Sequence, residues 1–353
     1  MISGWSRRRL AEALSSWLSV IILLALLVVA EIIFKNKSYT IILTNFLIYT
    51  SMVVSYQMFM GNSGIVSFGQ VAFFAVGAYT AALLSIPSEI KEVALPTLTP
   101  FLQQLQIGAL GAIFVGTLLS GLVALVIGIV ITRMEPDAMG IATFALLVIV
   151  FKVIHNWKAV TRGGLGLYDI PAVMTPAYAM IGLAVIVGVS LLFKASPIGL
   201  KMQGAREDAL AAQSLGNNLR PVTLVCYVLS AMVMGGGGGM WVHSIRAFGP
   251  GSFFFHDVWN MISMMVIGGQ ATVTGGIVGS GVVTVVSEIM RFPEKGMVIG
   301  SIEIPAIFGA VQLAVALLLL ATLIIKPSGI LGSKEIDFGI FNWIKSLNKR
   351  IRK

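Results

Sequence analysis

Lys201, Arg206, Glu207 and Asp208 fall close together in a chain that offers little other acid–base chemistry. They belong to residues 196–216, a polar stretch set between two long apolar runs. Four charges in one short segment cannot lie in hydrocarbon, so the segment is placed outside any bilayer. Gly204, Ala205, Ala209, Ala211 and Ala212 leave room for another protein surface to approach closely. The chemistry open to such a segment is docking rather than bond-making. Ser196 suits an N-cap and Pro197 the first helical position. Gly199 weakens the start, which opens the way to two short helices. Gly216, followed by Asn217 and Asn218, supplies a stop. The expected product is a helix lying along the inner membrane face, and an ordinary cytoplasmic loop is the plainer alternative.

Groups that could make or break bonds are scarce. His155, His243 and His256 are well separated, with no His-Glu-x-x-His pattern, so no metal site is expected. No Gly-x-x-x-x-Gly-Lys-Ser/Thr run is present, so the chain does not bind ATP through a P-loop. No cofactor is expected. The single cysteine, Cys226, rules out an intrachain disulfide and reads as a small buried apolar residue. Lys152 and His155 share one helix face, with Asn156 and Trp157 at the outer end. Two readings are open there: a snorkelling lysine beside an interfacial tryptophan, or an outer gate. Gly61, Asn62, Ser63 and Gly64 interrupt an otherwise apolar run, and Ser67 and Gln70 extend the polar stripe. Such a break is tolerated where it is buried in protein or lines a watery path. A tight turn at the inner surface is the alternative.

These groups must be positioned by elements made for lipid. The chain of 353 residues is 57% hydrophobic and 11% charged. Soluble domains carry about 25% charged residues. The apolar runs are continuous rather than alternating, which excludes a membrane barrel. The expected fold is all-α: a polytopic membrane helix bundle forming one domain over residues 1–353. About ten transmembrane segments are expected, over 17–34, 39–60, 64–84, 107–131, 139–157, 176–193, 221–244, 257–269, 274–290 and 304–325. The eighth and ninth are too short to cross about 30 Å of hydrocarbon and read as half-helices or a re-entrant pair. Arg7, Arg8 and Arg9 precede a first helix that is read as retained rather than cleaved. Of 24 Lys and Arg residues, 15 fall on the side holding both termini and residues 196–219, which orients that side to the cytoplasm. The net charge of +9 therefore needs no nucleic-acid partner. The basic C-terminal tail can also touch anionic lipid. Residues 85–106, with Pro87, Pro96 and Pro100, read as a short outer surface element. Glycines within the runs, among them Gly108, Gly111, Gly116, Gly121, Gly235–Gly239, Gly268, Gly269, Gly275, Gly276 and Gly279, point to close helix packing and broken helices.

Several stretches resemble the M-type permeases of branched-chain amino-acid ABC importers, in the order expected of that family. Residues 204–219, Gly-Ala-Arg-Glu-Asp-Ala-Leu-Ala-Ala-Gln-Ser-Leu-Gly-Asn-Asn-Leu, resemble its coupling motif. Residues 61–79 resemble its signature, and residues 161–171 its outer-loop Thr-Gly-Gly motif, with Arg162 inserted after the threonine. Residues 265–279 resemble its late glycine-rich motif, with Ala271 and Gly276 where the pattern has glycine and proline. Residues 327–332, Pro-Ser-Gly-Ile-Leu-Gly, match its usual ending. The resemblance implies a prokaryotic inner-membrane transport subunit that is not itself an enzyme. Its expected partners are two cytoplasmic ATPase subunits, a second permease, an extracytoplasmic solute-binding protein and the lipid bilayer. ATPase coupling would fall to Gly204, Ala205, Arg206, Glu207, Asp208, Ala211, Ala212, Leu215 and Gly216. Candidates for the translocation path are Asn62, Ser63, Gly64, Ser67, Gln70, Thr143, Lys152, His155, Thr161, Gly268 and Gly269. Branched-chain amino acids are the first expectation for the solute. Urea, short amides, other amino acids and an ion-coupled mechanism through Glu31 or Glu288 stay open.

Overall fold

The computed structural model describes residues 2–34, 36–299 and 302–336. The basic tail expected against anionic lipid therefore lies largely outside the described residues. The chain begins with α1 (Ile2–Phe34) and α2 (Lys37–Tyr56), which continues as a π-helical turn over Gln57–Gly61. Then come α3 (Gln70–Ser85), α4 (Ser88–Ala94), α5 (Pro100–Gln104), α6 (Ala109–Ile131), α7 (Pro136–Asn156) and α8 (Lys158–Thr161). They are followed by α9 (Pro176–Ala195), α10 (Pro197–Glu207), α11 (Ala209–Ser214), α12 (Leu219–Ile245), α13 (Phe255–Gly268), α14 (Val273–Lys295) and α15 (Ala310–Ile325). One small departure from an all-helical chain is an antiparallel hairpin, β1 (Met297–Ile299) with β2 (Ile302–Ile304), pairing Met297 with Ile304.

Among the described residues, seven helices are long and apolar enough to cross a membrane, or eight if α3 and α4 count as one span bent by 115°. Each of the ten expected segments is represented by a helix, but two are clearly shorter than the sequence suggested. The segment expected over 64–84 becomes helical only at Gln70, because residues 64–69 take up irregular backbone. The segment over 304–325 starts at Ala310, after β2, Pro305 and a left-handed Gly309. With 14 residues, α13 rises only about 21 Å, so it is short as expected. Its neighbour α14 is not: it runs on to Lys295 for 23 residues, which corrects the reading of the ninth segment as a half-helix.

Small residues let the central helices touch backbone to backbone. A Cβ on Gly77 would stand 2.1 Å from the Gly235 carbonyl oxygen, and one on Gly116 would stand 2.7 Å from the Gly77 carbonyl oxygen. Ser120 Oγ donates to the Phe73 carbonyl at 3.1 Å. These contacts pack α3, α6 and α12 into one layer, where α12 also meets α2. Gly108 and Gly111 do not share this role: no atom lies within 4 Å of a Cβ at the first, and only an Ile107 methyl at 3.8 Å at the second. Gly108 caps α6 and Gly111 lies in its first turn. Outside this layer α1 packs on α9, and Trp17 Nε1 donates to the Ala184 carbonyl at 2.8 Å. Exposed Leu26, Ile33 and Phe34 leave α1 an apolar outer face suited to lipid.

Candidate coupling and translocation site

Residues 196–216 fold as two helices, but not for the reason their sequence suggested. The break falls at Asp208, whose extended backbone ends α10 and whose carboxylate accepts from the Ala211 amide at 2.9 Å to cap α11. Gly199 does not weaken α10. A Cβ there would stand 2.0 Å from the Phe193 carbonyl oxygen, so glycine lets α10 fold back closely on the end of α9. Ser196 caps α10 through the Gly199 amide at 3.1 Å, as its position implies. Gly216 is left-handed and closes α11, with the Asn217 amide donating to the Ala212 carbonyl.

One side of this segment is anchored and the other is open. Met202 is buried, and Gln203 Nε2 donates to the Lys194 carbonyl at 2.9 Å. Arg206 Nη1 donates to the Gly61 carbonyl at 2.6 Å, reaching the end of the π turn. The same guanidinium pairs with Glu207 at 2.6 Å. By contrast, Leu210 is 77% exposed and Leu215 82% exposed. Nothing lies within 4 Å of a Cβ at Gly204 or Gly216. Exposed leucines beside open glycines make an apolar surface patch, with Ala205 half-buried, Ala211 exposed and Ala212 buried behind it.

The π turn and the irregular residues after it form a buried polar break. The break brings together five of the expected path residues: Asn62, Ser63, Ser67, Gln70 and Thr143 are all buried. Gly64, exposed and left-handed, sits against the Arg206 side chain. Thr143 Oγ1 accepts from the Phe68 amide at 3.2 Å and donates to the Gly140 carbonyl at 2.8 Å, which ties the break to α7. Gln70 Nε2 donates to Ser230 Oγ at 3.2 Å. Yet Gln57 Oε1, Asn62 Oδ1, Ser67 Oγ and Gln70 Oε1 are buried with no hydrogen-bond partner among the described residues. Gln57 was not singled out in the sequence, since a lone glutamine at the end of an apolar helix carries no signal.

Gly268 and Gly269 form a second break, between α13 and α14, and it meets the first. A Cβ on Gly61 would stand 2.3 Å from the Gln270 carbonyl oxygen, and Gln57 Nε2 reaches the same oxygen at 3.5 Å. A Cβ on Gly268 would stand 1.8 Å from the Gly275 carbonyl oxygen, so α13 and α14 press together. Residues 327–332 then clasp the open end of α13: the Ile330 and Leu331 amides donate to the Ile267 and Gly268 carbonyls at 2.9 and 3.0 Å. The Pro-Ser-Gly-Ile-Leu-Gly stretch thereby holds α13 in place.

Glu335, silent in the sequence, is the best-connected carboxylate among the described residues. It accepts from Lys194 Nζ at 2.6 Å, the Val273 and Thr274 amides at 2.9 Å each, and Thr274 Oγ1 at 2.7 Å. An anion at a helix N-terminus satisfies amides that have no partner within the helix. Burial pushes the carboxyl up, but Lys194 and the Thr274 donors outweigh it and hold the group below the usual carboxylate range.

The remaining candidates lie at the opposite face and are not brought to the breaks. Thr161 is buried, with its hydroxyl 2.5 Å from the Ile154 carbonyl and 2.8 Å from that of Trp157, so it closes the end of α7. Lys152 and His155 are exposed, and His155 stacks on Phe151. Residues 161–171 are pinned instead by a backbone bridge between Leu167 and Phe248. Towards that face α2, α13, α14 and α15 enclose a cavity of about 410 Å³ whose polar lining includes Asn45, Tyr49, His256, Asp257, Asn260 and Arg291. Glu288 pairs with Arg291 at 2.9 Å and Glu31 accepts from Thr40 at 2.7 Å, so both carboxylates are engaged. His243 is buried between the Gly239 carbonyl and Ser85 Oγ, and Cys226 lies against the Met58 carbonyl.

A polytopic bundle with an exposed polar helix tied to a buried polar break has the architecture of a membrane transport subunit. The chain belongs to the branched-chain amino acid transport system / permease component family, which matches residues 38–322. It is similar to the high-affinity branched-chain amino acid transport system permease protein LivM of Escherichia coli, with 23% identity over 78% of this chain and 69% of that protein. The LivM of Salmonella typhimurium is 24% identical over the same shares. No solved structure matches the chain. It is thus a multi-pass transport subunit and not an enzyme.

Proposed function

We propose that this chain is one transmembrane subunit of an ATP-driven importer in a prokaryotic inner membrane, moving branched-chain or closely related amino acids. Two cytoplasmic ATPases, a second permease and an extracytoplasmic solute-binding protein complete the assembly. Residues 196–219 receive the ATPase, with the exposed Leu210 and Leu215 as apolar anchors. The observation that carries this reading is the Arg206 hydrogen bond to Gly61, which joins the docking segment to a polar break inside the bundle. Four orphaned polar atoms at that break support a path: each costs about 1–3 kcal/mol if it stays unpaired. Such groups are suited to meet water or solute in another state of the cycle. The solute assignment rests on the names of the relatives. Ion coupling is disfavoured because Glu31 and Glu288 already have partners.

Purification from the native membrane in mild detergent, with mass spectrometry of what accompanies the chain, tests the assembly. Two P-loop ATPases and a second permease are expected; a chain recovered alone overturns the proposal. In the reconstituted complex, Glu207→Ala and Gly216→Ala should each lower the leucine moved per ATP. Normal coupling in both variants would remove the docking role from residues 196–219.

A further inference from the structure

We infer that the α13–α14 hairpin is the lever through which the docking segment drives the bundle, and that Lys194 and Glu335 are the positioning pair that latches it. This rests on the importer reading above. Two struts run from the docking segment to the same place. In the first, Arg206 holds the Gly61 carbonyl, and Gly61 and Gln57 abut the Gln270 carbonyl. In the second, Gln203 holds the Lys194 carbonyl, while the Lys194 ammonium donates to the Ala271 carbonyl at 2.6 Å and to Glu335. Glu335 in turn grips the first amides of α14. Both struts end within residues 270–274, the turn that joins α13 to α14.

The hairpin beyond that turn is fit to move as one body. Gly268 lies against Gly275, and a Cβ on Gly279 would stand 1.9 Å from the Met264 carbonyl oxygen, so sliding between the two helices is blocked by backbone. Its far end lines the cavity of about 410 Å³, through His256, Asp257 and Asn260 of α13 and Arg291 of α14. A displacement delivered at residues 270–274 therefore reaches a polar cavity at the other end without an intermediate element. Packed elements of this kind shift between discrete arrangements rather than deform.

Lys194→Met is the discriminating variant. It removes the strut to α9 yet leaves Glu335 its bonds to Val273 and Thr274, so the cap on α14 survives. Amide hydrogen exchange would be followed in the full complex, with and without ATP and vanadate, together with leucine moved per ATP in proteoliposomes. In the wild type, nucleotide should change exchange at both 196–218 and 268–274. In Lys194→Met the change at 196–218 should persist. The change at 268–274, and the leucine moved per ATP, should fall about tenfold, in the range of ordinary allosteric couplings. Lys194→Arg should restore both. If Lys194→Met carries the change to 268–274 as the wild type does, or if both segments lose it together, the pair only supports the fold and its role as the latch is overturned. A wild type with no nucleotide effect at either segment instead refutes the importer reading itself.

Discussion

The two faces of the bundle are joined by different chemistry. At the face carrying residues 196–218, elements far apart in sequence meet through buried or half-buried charges: Arg206 on a carbonyl of the π turn, Lys194 on Glu335, Glu335 on the start of α14. At the opposite face, distant loops meet through backbone and rings. The Leu167 and Phe248 backbones bridge, and Phe248, Phe253, Trp241 and Tyr79 pack edge to face. Aromatic clusters resist rearrangement because every displacement opens space in a close-packed region. A charged contact to a carbonyl can be exchanged for water or for another carbonyl, at a loss bounded by what a hydrogen bond to a charged group is worth, about 1.5–3 kcal/mol net. On the importer reading, the first face is the one to be re-formed in a cycle and the second the one that holds its shape. A stiff outer end suits a surface that meets a preformed partner, and a switchable inner end suits a motor.

The harshest way to break this contrast is at the hairpin. In Gly268→Leu the new side chain would begin inside the Gly275 carbonyl, where only backbone could yield. Overpacking of ordinary cores costs about 1–3 kcal/mol, and a backbone obstacle places this variant at or above the top of that range. The complex should be lost from size-exclusion profiles in detergent. Gly204→Ala, with no neighbour within 4 Å, should leave folding intact, and a folded Gly268→Leu complex would contradict the tight hairpin.

Arg206→Ala comes next. It strips the Gly61 carbonyl of its charged donor but leaves α10 anchored by Met202 and Gln203. Leucine moved per ATP should fall about tenfold while assembly is retained. If transport and ATP hydrolysis fall together, the first strut is structural and only the second transmits.

Much of the inner face could be read from the sequence, and the reason is composition. Charges confined to residues 196–216 between apolar runs announce a segment outside the bilayer, and Gly61–Gly64 announce a break. Sequence could not place the break within the docking segment, because Gly199 and Asp208 both suit a helix boundary and only packing against Phe193 decides between them. Nor could it show Glu335, whose partners lie 61 to 141 residues away. Span ends were not legible where local geometry overrode hydropathy: α3 and α15 are apolar enough but are cut short by the irregular residues 64–69 and by Gly309. Lys152 and His155, which share a helix face, and Thr161, which opens the outer-loop motif, sit apart from both breaks.

Acid tests the latch more gently. The Glu335 carboxyl is held below its ordinary value, so its contribution is full above the unfolded carboxylate pKa of about 4.3. That contribution is lost as pH falls through the lower, folded value. Melting of the wild-type complex should therefore exceed that of Glu335→Gln at neutral pH, and the gap should close as pH drops below about 4. A gap that persists at low pH would mean that Glu335 acts by shape rather than by charge.

The smallest effect is expected at the opposite face. Lys152 is exposed, with no ion pair among the described residues, and its side chain does not line the cavity of about 410 Å³. An exposed charge of this kind acts through long-range attraction on association rates, an effect that salt screens. Lys152→Ala should leave assembly and basal ATP hydrolysis unchanged and raise only the concentration of solute-binding protein needed for half-maximal stimulation, by about twofold at low salt. Identical stimulation curves at low and high salt would remove Lys152 from the docking surface and leave it as a lysine that keeps its ammonium in water at the end of an apolar helix.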